Sequence, residues 1–299
     1  MGTTAIPSGG IGAPWTSEVP PAGALIRQDT RVPNAASPDE TRAAVDSVKG
    51  WYHTLDLPGG VATPGWFDVR GLVNRFPWPD VAGLRCLDVA TWDGFYAFEL
   101  ERRGAAEVVA TDIQSHADWD HLPGAAASST EAQQDVMGEK GRGFEVAARC
   151  LGSAVRREFI NVYDLSPERV GTFDVVVCGT LLLHLRDPFR ALAAIRSVCR
   201  SAFLSVEQVS VGSGTWFGRT PCLTLQGNIG QWMVPTVAGH RRMLEIAGFD
   251  LKDVVGPVVE PYGPAHPPLP PSIQRRLLAL RLKGNGVPKS AVLCRPRSL

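Results

Sequence analysis

From about Gly83 onward, short apolar runs alternate with longer stretches that carry a single apolar stripe. The runs at 84–89, 107–112, 157–162, 173–178 and 202–207 predict strands, with helices between most of them. Phe173-Asp174-Val175-Val176-Val177-Cys178 is an apolar run of the kind expected of a parallel strand covered on both faces. Between Pro188 and Val198, the apolar Phe189, Leu192, Ile195 and Val198 recur at helical spacing and define one buried stripe. Pro235 to Ala247 predicts another helix, stopped by Gly248. A strand over 250–259, a helix over Ser272–Lys283 and a last strand over Ser290–Cys294 complete the pattern. There is no internal repeat, and the alternation predicts a doubly wound α/β sheet, mostly parallel and flanked by helices.

The chain before Gly83 reads differently. Residues 1–36 are rich in Gly, Pro, Ala and Ser without periodicity, which predicts a mobile arm with Trp15 and Leu25-Ile26 as candidate anchors. Ser37-Pro38-Asp39-Glu40 supplies an N-cap, a first-turn proline and two acids, so a helix is expected to about Lys49, ending at Gly50. The stretch from Trp51 to Asp68 then crowds aromatic residues between glycines and prolines. It either packs over a ligand or forms a satellite core. Residues 37–82 are therefore read as an N-terminal lid on a domain spanning 83–299, whose extension from 261 is Pro-rich and basic.

Charge and composition narrow the classes. With 30 basic and 30 acidic residues the chain has no general attraction for polyanions or membrane surfaces. The six cysteines are scattered, several inside apolar runs, as for buried thiols of a reducing compartment. There is no signal-peptide pattern and no run of membrane-spanning length, so a soluble, cytoplasmic protein is expected. After Glu260 come seven bases (Arg275, Arg276, Arg281, Lys283, Lys289, Arg295 and Arg297) and no acid, which is either an RNA-facing patch or an exposed helix against an acidic surface.

Candidate chemistry concentrates at Leu84 to Glu101, LRCLDVATWDGFYAFELE, a strand, a tight turn and a helix. The turn is Ala90-Thr91-Trp92-Asp93-Gly94, with one glycine and a carboxylate. A dinucleotide site needs G-x-G-x-x-G so that backbone amides can approach a pyrophosphate, so a nicotinamide cofactor is disfavoured and a cationic ligand suits the acids better. Asp112 ends the next strand at about the 20-residue spacing of a ribose-binding acid. His116, Asp118, Asp120 and His121 mix metal-capable side chains without a recognisable ligand spacing, so no metal is expected and the segment reads as a loop over the ligand.

With TDI at 111–113, FDVVVCGTLLLHLRDPFRAL at 173–192 and GNIGQWMVPTVAGHRRMLEIAGF at 227–249, the chain resembles class I S-adenosylmethionine (SAM)-dependent methyltransferases. Within them it is similar to the group that methylates or carboxymethylates the wobble uridine of tRNA. The resemblance covers roughly residues 51–260 and implies a Rossmann-like, seven-stranded, mostly parallel sheet with SAM as cofactor. Ala90, Thr91, Trp92 and Gly94 would then approach the cofactor, and Asp88 or Asp93 would hold its ammonium. Asp112 would take the ribose hydroxyls and Ile113 one face of the adenine, and within Asn161, Val162, Tyr163 and Asp164 a backbone amide and one polar side chain, Asn161 or Asp164, would read its edge. Gly179 begins the block that faces the methyl group. His184 and Glu207 are the candidate bases, each with a structural alternative, and Tyr52, His53, Trp66, Asn228 and Trp232 are candidate substrate contacts.

Carboxy-SAM enzymes of that group carry a tyrosine before the histidine of the fourth-strand block, where this chain has Leu183, so ordinary SAM is expected. The expected reaction is in-line methyl transfer to oxygen or nitrogen of a small-molecule metabolite or natural-product intermediate. The alternatives are a tRNA wobble-uridine enzyme using the basic tail and a non-catalytic SAM-binding protein. Nucleic acid is the less favoured partner, no membrane partner is expected, and a homodimer is compatible with the sequence.

Overall fold

The computed structural model describes residues 37–299 apart from 125, 212–219, 229, 269–271, 283 and 299; the expected arm over residues 1–36 lies outside the described residues. Ser37 caps α1 (Pro38–Asp46): its Oγ accepts from Glu40 N at 3.2 Å, and Glu40 accepts from Ser37 N at 2.8 Å. This reciprocal pair satisfies two orphan amides and fixes where the helix begins. The segment expected as a lid continues as β1 (Trp51–His53), β2 (Asp56–Leu57), β3 (Val61–Ala62) and β4 (Gly65–Phe67). β1 pairs with β4 in parallel, and β2 with β3 as a hairpin.

The sheet domain then runs β5 (Arg85–Val89), α2 (Phe95–Arg102), β6 (Glu107–Asp112), α3 (Ala126–Met137), α4 (Arg142–Leu151), β7 (Arg156–Phe159), α5 (Pro167–Val170) and β8 (Phe173–Gly179). It continues with α6 (Pro188–Val198), β9 (Cys199–Gln208), β10 (Leu223–Asn228), β11 (Gln231–Pro235), α7 (Val237–Ile246), β12 (Phe249–Pro261), α8 (Ile273–Leu282) and β13 (Gly286–Pro296). Seven strands form one sheet in the order β12-β13-β9-β8-β5-β6-β7. Only β13 runs antiparallel to its neighbours. Chain order reverses at β5, which pairs with β6 on one side and β8 on the other. The crevice beyond the carboxyl ends of those strands is where open α/β sheets bind ligands.

Both sheet faces are covered. Cys86, Val108, Val175 and Val177 pack with α2, α4 and the lid on one face; Leu87, Val109, Val176 and Phe203 pack with α6 and α7 on the other. The aromatic segment divides between core and cavity. Trp51 is 1% exposed and donates from Nε1 to Val45 O at 3.2 Å, inside the same core as β5, whereas Tyr52 and His53 line the main cavity.

Four differences from the sequence expectation stand out. The strand expected over 157–162 ends at Phe159, because Asn161 Oδ1 accepts from Tyr163 N at 3.1 Å and starts a 3-10 turn over Val162–Asp164. The segment from Leu223 to Pro235 is a β-hairpin that the apolar pattern did not announce. The last strand reaches from Gly286 to Pro296 and lies inside the sheet between β12 and β9. Three of the seven bases of the tail have acidic partners: Lys289 is 3% exposed and paired with Glu260 at 3.0 Å, while Arg295 and Arg297 pair with Asp250 at the surface. No described helix is long and apolar enough to cross a membrane.

His240 on α7 is fully buried, with Nε2 and Ser205 Oγ 2.9 Å apart, and burial pushes its pKa down to about 3 from 6.5. The folded state therefore binds fewer protons than the unfolded state between those values. Its contribution is intact above pH 6.5 and is lost as pH falls. Relative to His240→Leu, the native chain is expected to lose about 1.4 kcal/mol of stability per pH unit below 6.5, read from urea unfolding at a series of pH values.

Candidate functional site

The turn after β5 shows what its missing glycines were for. Ala90 (φ 60°), Trp92 (φ 52°) and Gly94 (φ 94°) all adopt the left-handed region, so two side-chain-bearing residues occupy conformations that favour glycine. Hydrogen bonds hold them there. Thr91 N donates to Thr111 O at 3.0 Å, Gly94 N to Thr91 O at 2.8 Å, and Trp92 N to Asp112 Oδ2 at 3.0 Å. A Cβ on Gly94 would sit 2.3 Å from Phe98, so that position tolerates nothing larger.

Asp112, at the end of β6, is the electrostatic centre of the crevice. Its Oδ1 accepts from Ile113 N at 2.9 Å, and its Oδ2 receives Lys140 Nζ at 2.5 Å in addition to Trp92 N. The Asp112 and Lys140 side chains are 4% and 3% exposed. Lys140 Nζ also lies 3.9 Å from the centroid of the Trp92 ring, a cation–π position. Burial pushes the Lys140 pKa down while Asp112 opposes that shift. Lys140 precedes α4 in a segment with no periodic or motif signal, and sequence reasoning missed it.

Asp93 is committed to β1. Its Oδ2 accepts from Tyr52 N at 2.9 Å and His53 N at 2.7 Å, and its Oδ1 is 2.5 Å from His53 Nδ1. Asp88 is 1% exposed and does not line the cavity; burial pushes its pKa up to about 7, opposed by Thr91 and His53. Neither carboxylate lines the crevice: Asp93 is engaged by β1, and Asp88 keeps an unpartnered Oδ2 buried behind the turn. At the β7 side, Ile113, Ile160, Asn161, Val162 and Tyr163 line the cavity. Asp164 points away and pairs with Arg169 and Arg190.

Beyond β8 the chain crosses under Tyr96. A Cβ on Gly179 would lie 2.1 Å from that ring, so glycine is what permits the approach. Thr180 follows at φ 57°, an outlier for a β-branched residue, with its N–H on Val206 O and its hydroxyl accepting from Lys289 Nζ. His184 lines the cavity but donates from Nδ1 to Gly230 O, and burial pushes its pKa down to about 4, which makes it a weak base. Glu207 is fully buried outside the lining. Its Oε1 accepts from Leu181 N at 3.1 Å and Leu182 N at 3.2 Å, and burial pushes its pKa up to about 7. It therefore caps the turn that carries His184.

The remaining candidates separate. Tyr52, His53 and Trp66 line the cavity; Trp232 does not, and donates from Nε1 to Asp120 O at 2.7 Å. Asn228 ends β10, and its side chain lies outside the described ones. The metal-capable segment is used locally: His116 contacts Gly138 O, Asp118 caps Ser115, and Asp120 accepts from Tyr163 Oη. Together these walls enclose about 280 Å³, lined mainly by apolar and aromatic groups with Asp112 and Lys140 among the few charges.

No family profile and no curated protein matches the chain. Solved structures do. The N-terminal domain of EvdMO1 with bound S-adenosylhomocysteine (SAH) is similar over 87% of this chain and 96% of its own, at 16% identity and a TM-score of 0.50. A SAM-dependent methyltransferase from Listeria monocytogenes aligns over 74% of this chain and 94% of its own at 14% identity and a TM-score of 0.46. The Burkholderia thailandensis 1,6-didemethyltoxoflavin-N1-methyltransferase, solved with its substrate and SAH, covers 73% and 72% at 16% identity and 0.46. In strand order, in the single antiparallel strand and in the likeness to the EvdMO1 domain, this chain has the Rossmann-like fold of class I methyltransferases.

Proposed function

We propose that the chain is a SAM-dependent methyltransferase that acts on oxygen or nitrogen of a small organic molecule. The observation that carries this reading is the Asp112 carboxylate at the carboxyl end of β6, next to the strand where chain order reverses, beside the apolar lining of Ile113, Ile160 and Val162. Asp112 and Ile113 would hold the ribose and adenine, with Ile160 and Val162 as the opposite wall. Since Asp93 is spent on the lid, the ammonium would meet the backbone at Val89 and Ala90, both of which line the cavity. Bound there, SAM supplies an electrophilic methyl on a sulfonium. The chain's own contribution is to position the acceptor in line and to exclude water, which suffices for much of the acceleration.

A tRNA substrate is less well supported, because Lys289 of the basic tail is buried against Glu260, and Arg295 and Arg297 are engaged by Asp250 at the surface. Incubation with methyl-labelled SAM, a panel of small hydroxylated and aminated aromatics, and unmodified tRNA separates the readings. Label is expected in the small-molecule fraction. Label confined to tRNA would overturn the proposal, and tight SAH binding without any transfer would favour a non-catalytic SAM-binding protein.

A further inference from the structure

The strongest unassigned chemistry lies where the lid meets the turn. Asp93, in the turn after β5, reaches back 40 positions in sequence to His53 and clamps β1 by three bonds. Two go to the main chain at Tyr52 and His53, which fixes the position of the histidine backbone. The third goes to His53 Nδ1 at 2.5 Å, which fixes the tautomer and ring orientation and leaves Nε2 as the nitrogen available to a molecule in the cavity. A carboxylate on one ring nitrogen and a substrate proton on the other is the arrangement of an oriented imidazole base.

The surroundings of His53 fit that role better than those of the other two bases. His53 is 6% exposed, packed by the rings of Tyr52, Phe95 and Tyr96. Burial lowers its pKa, Asp93 and Glu260 raise it, Lys289 lowers it, and the balance lies above the ordinary histidine value; Asp88 also feels its charge. An imidazolium formed here is therefore stabilised, whereas one formed at His184 is not. Flat aromatic walls flank this end of the cavity: Tyr52 on Phe67 at 5.0 Å, and His266 against Phe67 at 5.4 Å and Trp66 at 6.2 Å. Such walls suit an aromatic ring in the acceptor.

We infer that His53 is the general base of this site, oriented by Asp93 as its positioning residue, and that the acceptor is a hydroxylated aromatic ring. The inference rests on the methyl-transfer reading above. Nε2 takes the phenolic proton as the acceptor oxygen bonds to the donor methyl carbon. The carbon–sulfur bond breaks with its electrons staying on sulfur, leaving a neutral thioether, an aryl methyl ether and imidazolium.

Proton transfer can be read without any methyl transfer. The full chain is saturated with SAH, 4-nitrophenol is added as probe, and the phenolate absorption band is followed against pH. In the native chain the bound probe is expected to ionise about one pH unit or more below free probe, because its proton passes to His53 and the resulting ion pair is retained. His53→Gln should abolish that shift while keeping SAH affinity, and Asp93→Asn should reduce it. An equal shift in His53→Gln, or no bound probe at millimolar concentration in the SAH complex, overturns the base assignment. Failure of the native chain to bind SAH removes the methyl-transfer reading itself, a distinguishable result.

Discussion

Replacing Asp112 with alanine is expected to destabilise the fold by about 3–5 kcal/mol and to weaken SAH binding at least about tenfold. The stability loss follows from what the carboxylate holds. Lys140 Nζ, 2.5 Å away and nearly inaccessible, is left as an unpaired buried cation, and the Trp92 and Ile113 amides lose their acceptor. Breaking one side of a buried pair costs far more than the pair itself contributes. Burial already pushes the Lys140 pKa down, so without Asp112 it releases its proton more readily and the deficit narrows as pH rises. The double variant Asp112→Ala/Lys140→Met removes the stranded charge and should recover most of the stability in urea unfolding. It should not recover SAH affinity, because the ribose hydroxyls still lack their acceptor. That separation tells a ligand contact from a structural one.

The second large effect is expected at Gly65. A Cβ there would lie 2.2 Å from the main-chain carbon of His53 and the amide of Thr54, where no rotamer change can relieve the overlap. Gly65 is in register with Trp51 in the β1–β4 pair, so Gly65→Ala must push β1 away from β4. A loss of about 3 kcal/mol or more in thermal or urea unfolding is expected, beyond the usual range for overpacking because backbone is displaced. Displacement of His53 would also disturb the Asp93 clamp. Gly71→Ala is the matched control: nothing lies within 4 Å of its added Cβ, and its stability should stay close to that of the native chain. Equal behaviour of the two variants would contradict the described lid.

The helix Pro188–Val198 and the strands at β5, β6 and β8 were legible because most of their apolar positions repeat at helical or strand periods and face covered surfaces; Phe189, expected in the buried stripe, is exposed, and Ala191 takes an inward position instead. The β10–β11 hairpin was not, since its strands expose Leu223 and Leu225 and carry no inward alternation. Within the site, the Asp112 position followed from spacing alone. The glycine-like backbone of Ala90 and Trp92 was visible only as an oddity, because a left-handed φ held by neighbouring hydrogen bonds leaves no mark on residue type. Long-range partners were beyond reach. Nothing in the chain before Arg142 announces that Lys140 meets Asp112, and nothing near Pro288 announces that Lys289 runs inward to Glu260 and Thr180. Asp93 was singled out for an ammonium partner by its charge; the structure places a histidine and two amides on it.

The central claim is that the crevice at the β5–β8 switch point holds an adenosyl sulfonium cofactor with Asp112 on its ribose. Calorimetric titration of SAH into the full chain tests it most directly. One SAH per chain is predicted, displaceable by SAM, with affinity lowered at least about tenfold in Asp112→Ala/Lys140→Met relative to the native chain. No binding to the native chain, or equal affinity in the native chain and the double variant, would contradict it.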